Sequence, residues 1–261
     1  MQQTNQAPRR RPLEQSRPEA KHNEKEYRTM SRKIYAAFVP LLAVVAFASV
    51  TGAAQAAPHW YKCEAKAGGK YHDPDCTEKT GTAFELTRLP FEKEGVLTRK
   101  EVSTFGKLTL SVPSVPLTAT CNVLDEGLIW NVSEATAGKD EITVFENHKC
   151  KATACTGTLA IAAENLPYPT ELTEVVAGTI RDKIGTTAKE VTIKVTCSSP
   201  VLSETFKGIL EPKFVNGSPS FVEFDSGAGH LTGPTLGEAK VSGKDFVAET
   251  ETGDNIDAVN P

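Results

Sequence analysis

Long helical periodicity is absent from this chain of 261 residues, and so are the short motifs that mark common catalytic folds. There is no G-x-S-x-G nucleophile turn, no H-E-x-x-H zinc motif, no phosphate-binding P-loop and no G-x-G-x-x-G dinucleotide fingerprint. These absences leave no recognisable catalytic constellation. The sequence therefore predicts neither a catalytic residue nor a bound cofactor.

Basic residues are scarce over most of the chain. The full sequence holds 29 Lys and Arg against 33 Asp and Glu, but nine of the basic residues and four of the acidic ones lie in 1–56. Residues 57–261 keep 20 basic and 29 acidic side chains, a net charge of −9. An acidic surface repels phosphate backbones, which argues against a nucleic-acid partner.

The first part of the chain is typical of export. Residues 1–29 hold almost no apolar side chains and cannot form a core, so they are a disordered extension or a mis-called start. Residues 30–56 combine a basic pair, an uncharged apolar run at 36–50 and the A-x-A cleavage site Ala54-Gln55-Ala56. This pattern predicts a signal peptide that is cleaved after Ala56.

An uncleaved membrane anchor is the alternative for the same run. The run is interrupted by Pro40 and is short for the roughly 20 residues that a membrane span needs, which favours cleavage. No second apolar segment follows. The product is predicted to be secreted, in the extracellular space or the cell envelope, with no stable membrane anchor.

The remaining sequence is organised in short apolar runs of period two, separated by Gly, Pro, Asn and Asp. The runs are 108–112, 117–123, 127–132, 141–147, 157–163, 190–197, 204–210, 220–225, 237–243 and 245–250. Their spacing predicts an all-β fold, an antiparallel β-sandwich or barrel. Residues 169–180 fit either a short helix or a strand. Residues 57–100 carry few such runs and are predicted to form a small, loop-rich, disulfide-closed segment before a β domain at 101–261.

All six cysteines follow the predicted cleavage site: Cys63, Cys76, Cys121, Cys150, Cys155 and Cys197. An even number of cysteines in an exported protein predicts disulfides. Turn signals between Cys63 and Cys76 favour that pair. For the other four, we favour a short Cys150–Cys155 bridge across a hairpin end with Cys121–Cys197 between distant strands. The alternative is Cys121–Cys150 with Cys155–Cys197.

The stretch HWYKCEAKAGGKYHDPDC, which starts at residue 59, also resembles a metal site. His59, Cys63, His72 and Cys76 are suitable residue types for tetrahedral zinc. Zinc needs thiolates, and an oxidising compartment consumes them, so the disulfide is the favoured interpretation. The two histidines are then expected to be surface residues.

Three aromatic residues are candidates for ligand contact or for packing. Tyr168 lies between two prolines in ENLPYPTEL, where it either contacts a ligand or forms a corner that covers a sheet edge. Trp60 lies near the predicted new N-terminus and is the better candidate for an exposed contact. Trp130 alternates with Leu128 in a strand-like run and is expected to pack in the core.

The segment HWYKCEAKAGGKYHDPDC with the following TEKTGTAFEL resembles the N-terminal part of a group of uncharacterised secreted proteins from actinobacteria. The stretches CNVLDEGLIWNV, ENHKCKATAC, ENLPYPTEL and VTIKVTC resemble the β domain of the same group. The shared features are Gly, Cys, Trp and Pro positions. The resemblance implies export and a β domain, and it implies no particular activity.

Two functions are compatible with this sequence. The first is a disulfide-stabilised extracellular or cell-envelope β domain with a binding or structural role, whose partner is a glycan, a peptide or a protein. The second is a secreted hydrolase with an active site dispersed over loops, which would use His148 or His230. Without a catalytic constellation, the first is the working hypothesis.

Overall fold

The structure is a computed structural model that describes residues 57–260 except 92, 94, 95, 97 and 177. The signal peptide predicted at 30–56, its cleavage site and the stretch 1–29 lie outside the described residues. In the part of the chain that is described, no helix is long and apolar enough to span a membrane.

The described residues form antiparallel β-strands joined by turns, which confirms the predicted all-β class. The strands are β1 (His59–Ala65), β2 (Phe84–Arg88), β3 (Lys100–Val112), β4 (Leu117–Trp130), β5 (Lys139–Ala152), β6 (Leu159–Glu164), β7 (Tyr168–Val176), β8 (Thr179–Ile184), β9 (Val191–Ser198), β10 (Val201–Gly208), β11 (Lys213–Val215), β12 (Phe221–Phe224), β13 (Leu231–Gly233), β14 (Gly237–Glu249) and β15 (Ile256–Val259). The ambiguous residues 169–180 are strand, in β7 and the start of β8. Two pairs of predicted runs merge into the single long strands β4 and β14.

Eight of these strands form a closed ring of hydrogen-bonded neighbours. Their spatial order is β12-β11-β8-β7-β5-β4-β3-β14, and β12 also pairs with β14 through Phe221–Phe224 and Gly243–Phe246. Side chains alternate between the two faces of each strand, so every second residue points into the ring. Buried apolar side chains such as Ile129, Leu172 and Val247 fill much of the interior.

The N-terminal half of β14 extends into a second set of strands. From there the order continues through β13, β10 and β9 to β6. Phe206, Leu231 and Ala239 are fully buried where these strands pack. Because β14 belongs to both the ring and this extension, it links the two parts of the fold.

The segment 57–100 contributes two strands to a separate three-stranded sheet. β1 lies between β2 and the C-terminal strand β15. The loop between β1 and β2 is closed by the Cys63–Cys76 disulfide, as the turn signals predict. The first and last described strands of the chain are therefore paired with each other.

The favoured pairing of the other four cysteines is wrong. The structure joins Cys121 to Cys150 and Cys155 to Cys197. Cys121 lies on β4 at an irregularity in its register with β5, and Cys150 lies on β5, so this bridge joins neighbouring strands. The segment between Cys150 and Cys155 is not a hairpin end, because β5 runs on to Ala152 and the chain then crosses to β6, beside β9.

Candidate functional site

Trp60 is not exposed, so its prediction as an exposed contact is wrong. Its side chain is 2% accessible, and its ring packs edge-on against Phe214 with centroids 5.3 Å apart. The indole N–H donates to the carbonyl oxygen of Lys139 at 3.0 Å. Pairing of β1 with β15 places this residue inside the fold although it lies close to the predicted N-terminus.

Tyr168 is also buried and is not available to a ligand. The side chain is 1% accessible. Its hydroxyl lies 2.6 Å from the carbonyl oxygen of Glu164 and 2.8 Å from that of Thr192, and it accepts the N–H of Thr192 at 3.2 Å. The residue ties the start of β7 to β6 and β9, which agrees with the structural interpretation of the segment.

Trp130 is half-buried, and its prediction as a core residue is wrong. The inward positions of β4 are the odd-numbered ones, including Val123 and Ile129, which places Trp130 on the outer face. There the guanidinium of Arg99 lies 4.5 Å from its ring. Alternation alone did not show which of the two faces is the core.

The four candidate zinc ligands do not form a metal site. Cys63 and Cys76 are bonded to each other, so neither sulfur is a thiolate. His59 is fully buried, contrary to its prediction as a surface residue, with Nε2 3.0 Å from the carbonyl oxygen of Ser133. His72 is exposed. Among the described residues, no cluster of three or more His, Cys, Asp or Glu is arranged to hold a metal ion.

The two histidines considered for hydrolysis lie at separate, exposed positions. His148 is exposed on β5, and its Nε2 lies 3.1 Å from a carboxylate oxygen of Glu146. His230 is exposed at an open pocket of about 440 Å³ that also contains Ser226 and Ser242. In the described part of the chain, neither histidine is hydrogen-bonded to a serine hydroxyl.

A row of phenylalanines lies on the outside of the ring instead. Phe105 on β3 is directly opposite Phe246 on β14, and Phe246 is directly opposite Phe221 on β12. The ring centroids are 5.8 Å apart in the first pair and 5.9 Å in the second. Phe105 is 54% accessible, one of the most exposed large apolar side chains in the described chain. We call these three residues the phenylalanine row.

Charged residues border the phenylalanine row on one side. Lys107 and Lys244 occupy directly opposite positions on β3 and β14, two residues from Phe105 and Phe246. Nζ of Lys244 lies 4.2 Å from the centroid of Phe221 and 3.4 Å from the carboxylate of Glu223. Lys107 is exposed. The outer face therefore carries an aromatic centre with a basic margin.

The sequence does not reveal the phenylalanine row, because the usual arrangement of apolar residues inside and polar residues outside is reversed at these positions. In both Thr104-Phe105-Gly106 and Asp245-Phe246-Val247, a phenylalanine points outward beside an inward polar residue or glycine. The sequence does contain both Phe105 and Phe246, but that they are opposite each other becomes visible only when the register of β3 and β14 is known.

Comparison with models of protein families, with curated protein sequences and with solved structures gives no match.

Proposed function

We propose that this chain is an exported, disulfide-stabilised β domain that works outside the cell or in the cell envelope and binds a protein partner through the phenylalanine row. Three disulfides are typical of extracellular proteins, and all six cysteines of the chain are used in them. The observation that carries the binding role is the alignment of Phe105, Phe246 and Phe221 across three neighbouring strands on the outer face.

The row has the composition of a protein-binding surface. Protein interfaces combine an apolar, often aromatic centre with a polar margin, and a few aromatic residues supply most of the binding energy. Here a half-exposed Phe105 lies beside Phe246 and Phe221, with Lys107, Lys244 and Glu223 at the edge. None of the three phenylalanines is among the buried core residues.

The charges at the edge indicate the chemistry of the partner. Like charges at directly opposite positions of a sheet are destabilising, and Lys107 and Lys244 are such a pair. They occur in a part of the chain whose net charge is −9. A partner with apolar side chains flanked by carboxylates would cover the aromatic rings and neutralise Lys107, whereas Lys244 already lies 3.4 Å from Glu223. We therefore propose an acidic, partly apolar segment of an extracellular protein as the occupant.

Export is tested by the intact mass of protein recovered from the culture medium of an expressing bacterium. We expect a chain that begins at Ala57 and is lighter than the reduced sequence by two hydrogens for each of the three disulfides. A chain that stays in the cytoplasm with its first 56 residues attached would contradict export. A mass with all thiol hydrogens present would contradict the disulfides.

Binding is tested by selecting peptides from a displayed random library on the folded protein. We expect the selected peptides to combine aromatic or aliphatic residues with Asp or Glu. Phe105→Ala should weaken their binding by about 10-fold or more, the effect of losing a central aromatic contact. Val201→Ala is the matched control, since Val201 is 89% accessible and lies on β10, outside the ring.

Three results would contradict the proposed binding surface. One is the absence of any enriched peptide. Another is peptide binding that is equally strong in wild type and in Phe105→Ala. The third is enrichment of basic peptides, which would contradict the assignment of an acidic partner while leaving the aromatic centre in place.

A further inference from the structure

Two clusters of identical composition line the inside of the ring, and the proposed binding surface does not use them. The first carboxyl cluster is Thr104 on β3, Asp125 on β4 and Asp245 on β14. In it Thr104 is directly opposite Asp125, and Asp245 is opposite Gly106, two residues further along β3. A Cβ on Gly106 would clash with the carbonyl oxygen of Lys244 and lie 2.8 Å from Oδ1 of Asp245, so glycine makes room for the β14 backbone and for this carboxyl group.

The second carboxyl cluster repeats the pattern on the other side of the ring. It consists of Asp140 on β5, Thr170 on β7 and Asp182 on β8. Thr170 is directly opposite Asp140, and Asp182 is opposite Leu172, two residues further along β7. The same three residue types thus occupy the same relative positions in two separate groups of three adjacent strands.

The four carboxyl groups are deeply buried and face one cavity. Asp125, Asp140, Asp182 and Asp245 are between 3% and 9% accessible, and all four line a cavity of about 50 Å³. The lining contains no lysine, arginine or histidine. Oδ1 of each aspartate has no hydrogen-bond partner among the described protein atoms. Such groups resist ionisation, because an unpaired charge in an apolar interior is unfavourable.

The charged residues nearest the clusters on the surrounding strands alternate with the inward positions and do not neutralise the clusters. They are Glu101 and Lys107 on β3, Glu126 on β4, Lys139 and Glu141 on β5, Glu171 on β7, Arg181 and Lys183 on β8, Lys213 on β11, Glu223 on β12 and Lys244 on β14. Glu126 and Glu141 also line the cavity, but they are acidic and supply no positive charge. Two of the basic residues are paired with carboxylates outside the clusters: Lys139 with Glu171 at 2.6 Å and Arg181 with Asp225 at 3.1 Å. Lys139 favours ionisation of its chain neighbour Asp140, but burial has the larger effect on that pKa.

Glu249 is a further inward carboxylate on β14 but belongs to a different environment. Its oxygens lie 2.6 Å from Nζ of Lys62 and 2.9 Å from Nζ of Lys100. Burial alone would raise its pKa, but the hydrogen bonds from Lys62, Thr252 and Lys100 outweigh burial and lower the pKa to about 2. Its contribution to stability is therefore complete above the ordinary glutamate pKa of 4.5 and does not vary at higher pH.

The net pKa shift of the aspartates has the opposite sign, because burial outweighs their hydrogen bonds. Burial raises the pKa of Asp245 to about 6 and that of Asp182 to about 7. Burial and the neighbouring carboxyl group together raise the pKa values of Asp125 and Asp140 well above their usual range. Two carboxyl groups in contact are compatible when one of them carries a proton, and two ionised groups repel each other.

The clusters flank the part of the ring with the shortest strands. Asp182 lies on β8 and Asp245 lies on β14, and the ring between them is completed by β11, with three residues, and β12, with four. β11 and β8 share a short register at Lys213 and Arg181, extended by a bridge between Ile184 and Leu210. Repulsion inside the ring would act first on this short pairing.

We propose that the two carboxyl clusters form a pH-sensitive latch that holds the ring closed while their carboxyl groups are neutral and loosens the β11–β12 segment as each cluster gains negative charge. The sign follows from the protonation states. The folded chain keeps protons that the unfolded chain releases near the ordinary aspartate pKa of 3.8. The stability that the clusters contribute is therefore complete below the ordinary aspartate pKa, and it falls as the pH rises through about 6 and about 7, where Asp245 and Asp182 ionise in the folded chain.

The test compares wild type with the double variant Asp182→Asn/Asp245→Asn. Asparagine keeps the shape of the side chain, donates a hydrogen bond to the remaining carboxylate and does not titrate. Between about pH 5 and about pH 8 we expect the unfolding midpoint of wild type to fall by about 10 °C or more, and that of the variant to fall by less than half as much. Amide hydrogen exchange in 213–224, corrected for the intrinsic effect of pH, should rise over the same interval in wild type.

Asp257→Asn is the matched control. Burial raises the pKa of Asp257 to about 6, but this residue lies on β15, outside the ring, and contacts Ser220 and Asn255. Its replacement should leave the larger part of the pH dependence and the exchange response of 213–224 in place. If Asp257→Asn flattened the profile as strongly as the double variant does, the latch would be refuted.

A titration of the wild-type protein keeps the proposal testable if the double variant does not fold. Carbon-13 chemical shifts of the aspartate carboxyl groups should show five groups that titrate above about pH 5.5, namely Asp257 and the four aspartates of the clusters. Four carboxyl groups that titrate near 3.8 would overturn the proposal. So would loss of the pH dependence on adding calcium alone, because the clusters would then be a cation site.

Discussion

Replacing Cys155 and Cys197 together by alanine is expected to lower the free energy of unfolding by about 4 kcal/mol, as estimated from the entropy of the unfolded chain. This disulfide joins positions 42 residues apart, the longest separation of the three. Opening a longer loop gives the unfolded chain more conformational freedom. The loss is measured by chemical denaturation of the oxidised wild type and the double variant.

The same variant tests the connectivity. With Cys63–Cys76 and Cys121–Cys150 intact, the denatured double variant should contain no titratable thiol. If Cys121 were bonded to Cys197 and Cys150 to Cys155, two thiols for each chain would appear, and the pairing in the structure would be refuted. Cys63→Ala/Cys76→Ala is the matched control, with an expected loss of about 3 kcal/mol because its loop is shorter.

The cysteines show how far the sequence predicts this fold. Their even number and their position after the predicted export signal predict three disulfides, and local turn signals identify Cys63–Cys76. The other two bridges depend on which strands are neighbours. Cys150 and Cys155 are close in sequence, yet the first ends on β5 beside β4 and the second precedes β6 beside β9. The short distance between Cys150 and Cys155 in the sequence does not show that they lie beside different strands.

Alternation predicts strands more reliably than it predicts faces. Most period-two runs do form strands, because β-branched and apolar residues suit a pleated surface. The runs could not show that Asp245 points into the ring and Phe246 out of it. In both the phenylalanine row and the carboxyl clusters, polar residues point inward or apolar ones point outward. The candidate site could therefore be found only from the register of β3, β12 and β14.

Burial of Trp60 and Tyr168 has a related cause. Both were candidates for exposure because of local features, a position near the predicted N-terminus in one case and flanking prolines in the other. In the structure Trp60 is covered because β1 pairs with β15, almost two hundred residues later in the chain. Contacts between residues so far apart in the chain leave no local pattern in the sequence. Aromatic residues that are predicted to be exposed can therefore be buried in the fold.

Replacing Asn131 by leucine is expected to lower the free energy of unfolding by about 4 kcal/mol, because it leaves buried backbone groups without partners. Asn131 is 1% accessible and directly follows β4. Its Oδ1 accepts the backbone N–H of Trp60 at 2.9 Å, and its Nδ2 donates to the carbonyl oxygens of Trp60 and Leu89 at 3.0 Å each. One side chain thus joins the ring to the end of β2 and to β1.

Leucine has a similar volume but offers neither a donor nor an acceptor, so the N–H of Trp60 and the carbonyl of Leu89 would each lose a buried hydrogen bond.

Asn122→Leu is the matched control: the same substitution at an exposed position on β4 is expected to change stability by less than about 0.5 kcal/mol. Urea denaturation of both variants measures the difference. Equal losses in the two would mean that the hydrogen bonds of Asn131 do not hold β1 and β2 against the ring. A large loss confined to Asn131→Leu would show that the N-terminal strands are fastened to the ring by side-chain hydrogen bonds as well as by their pairing with β15.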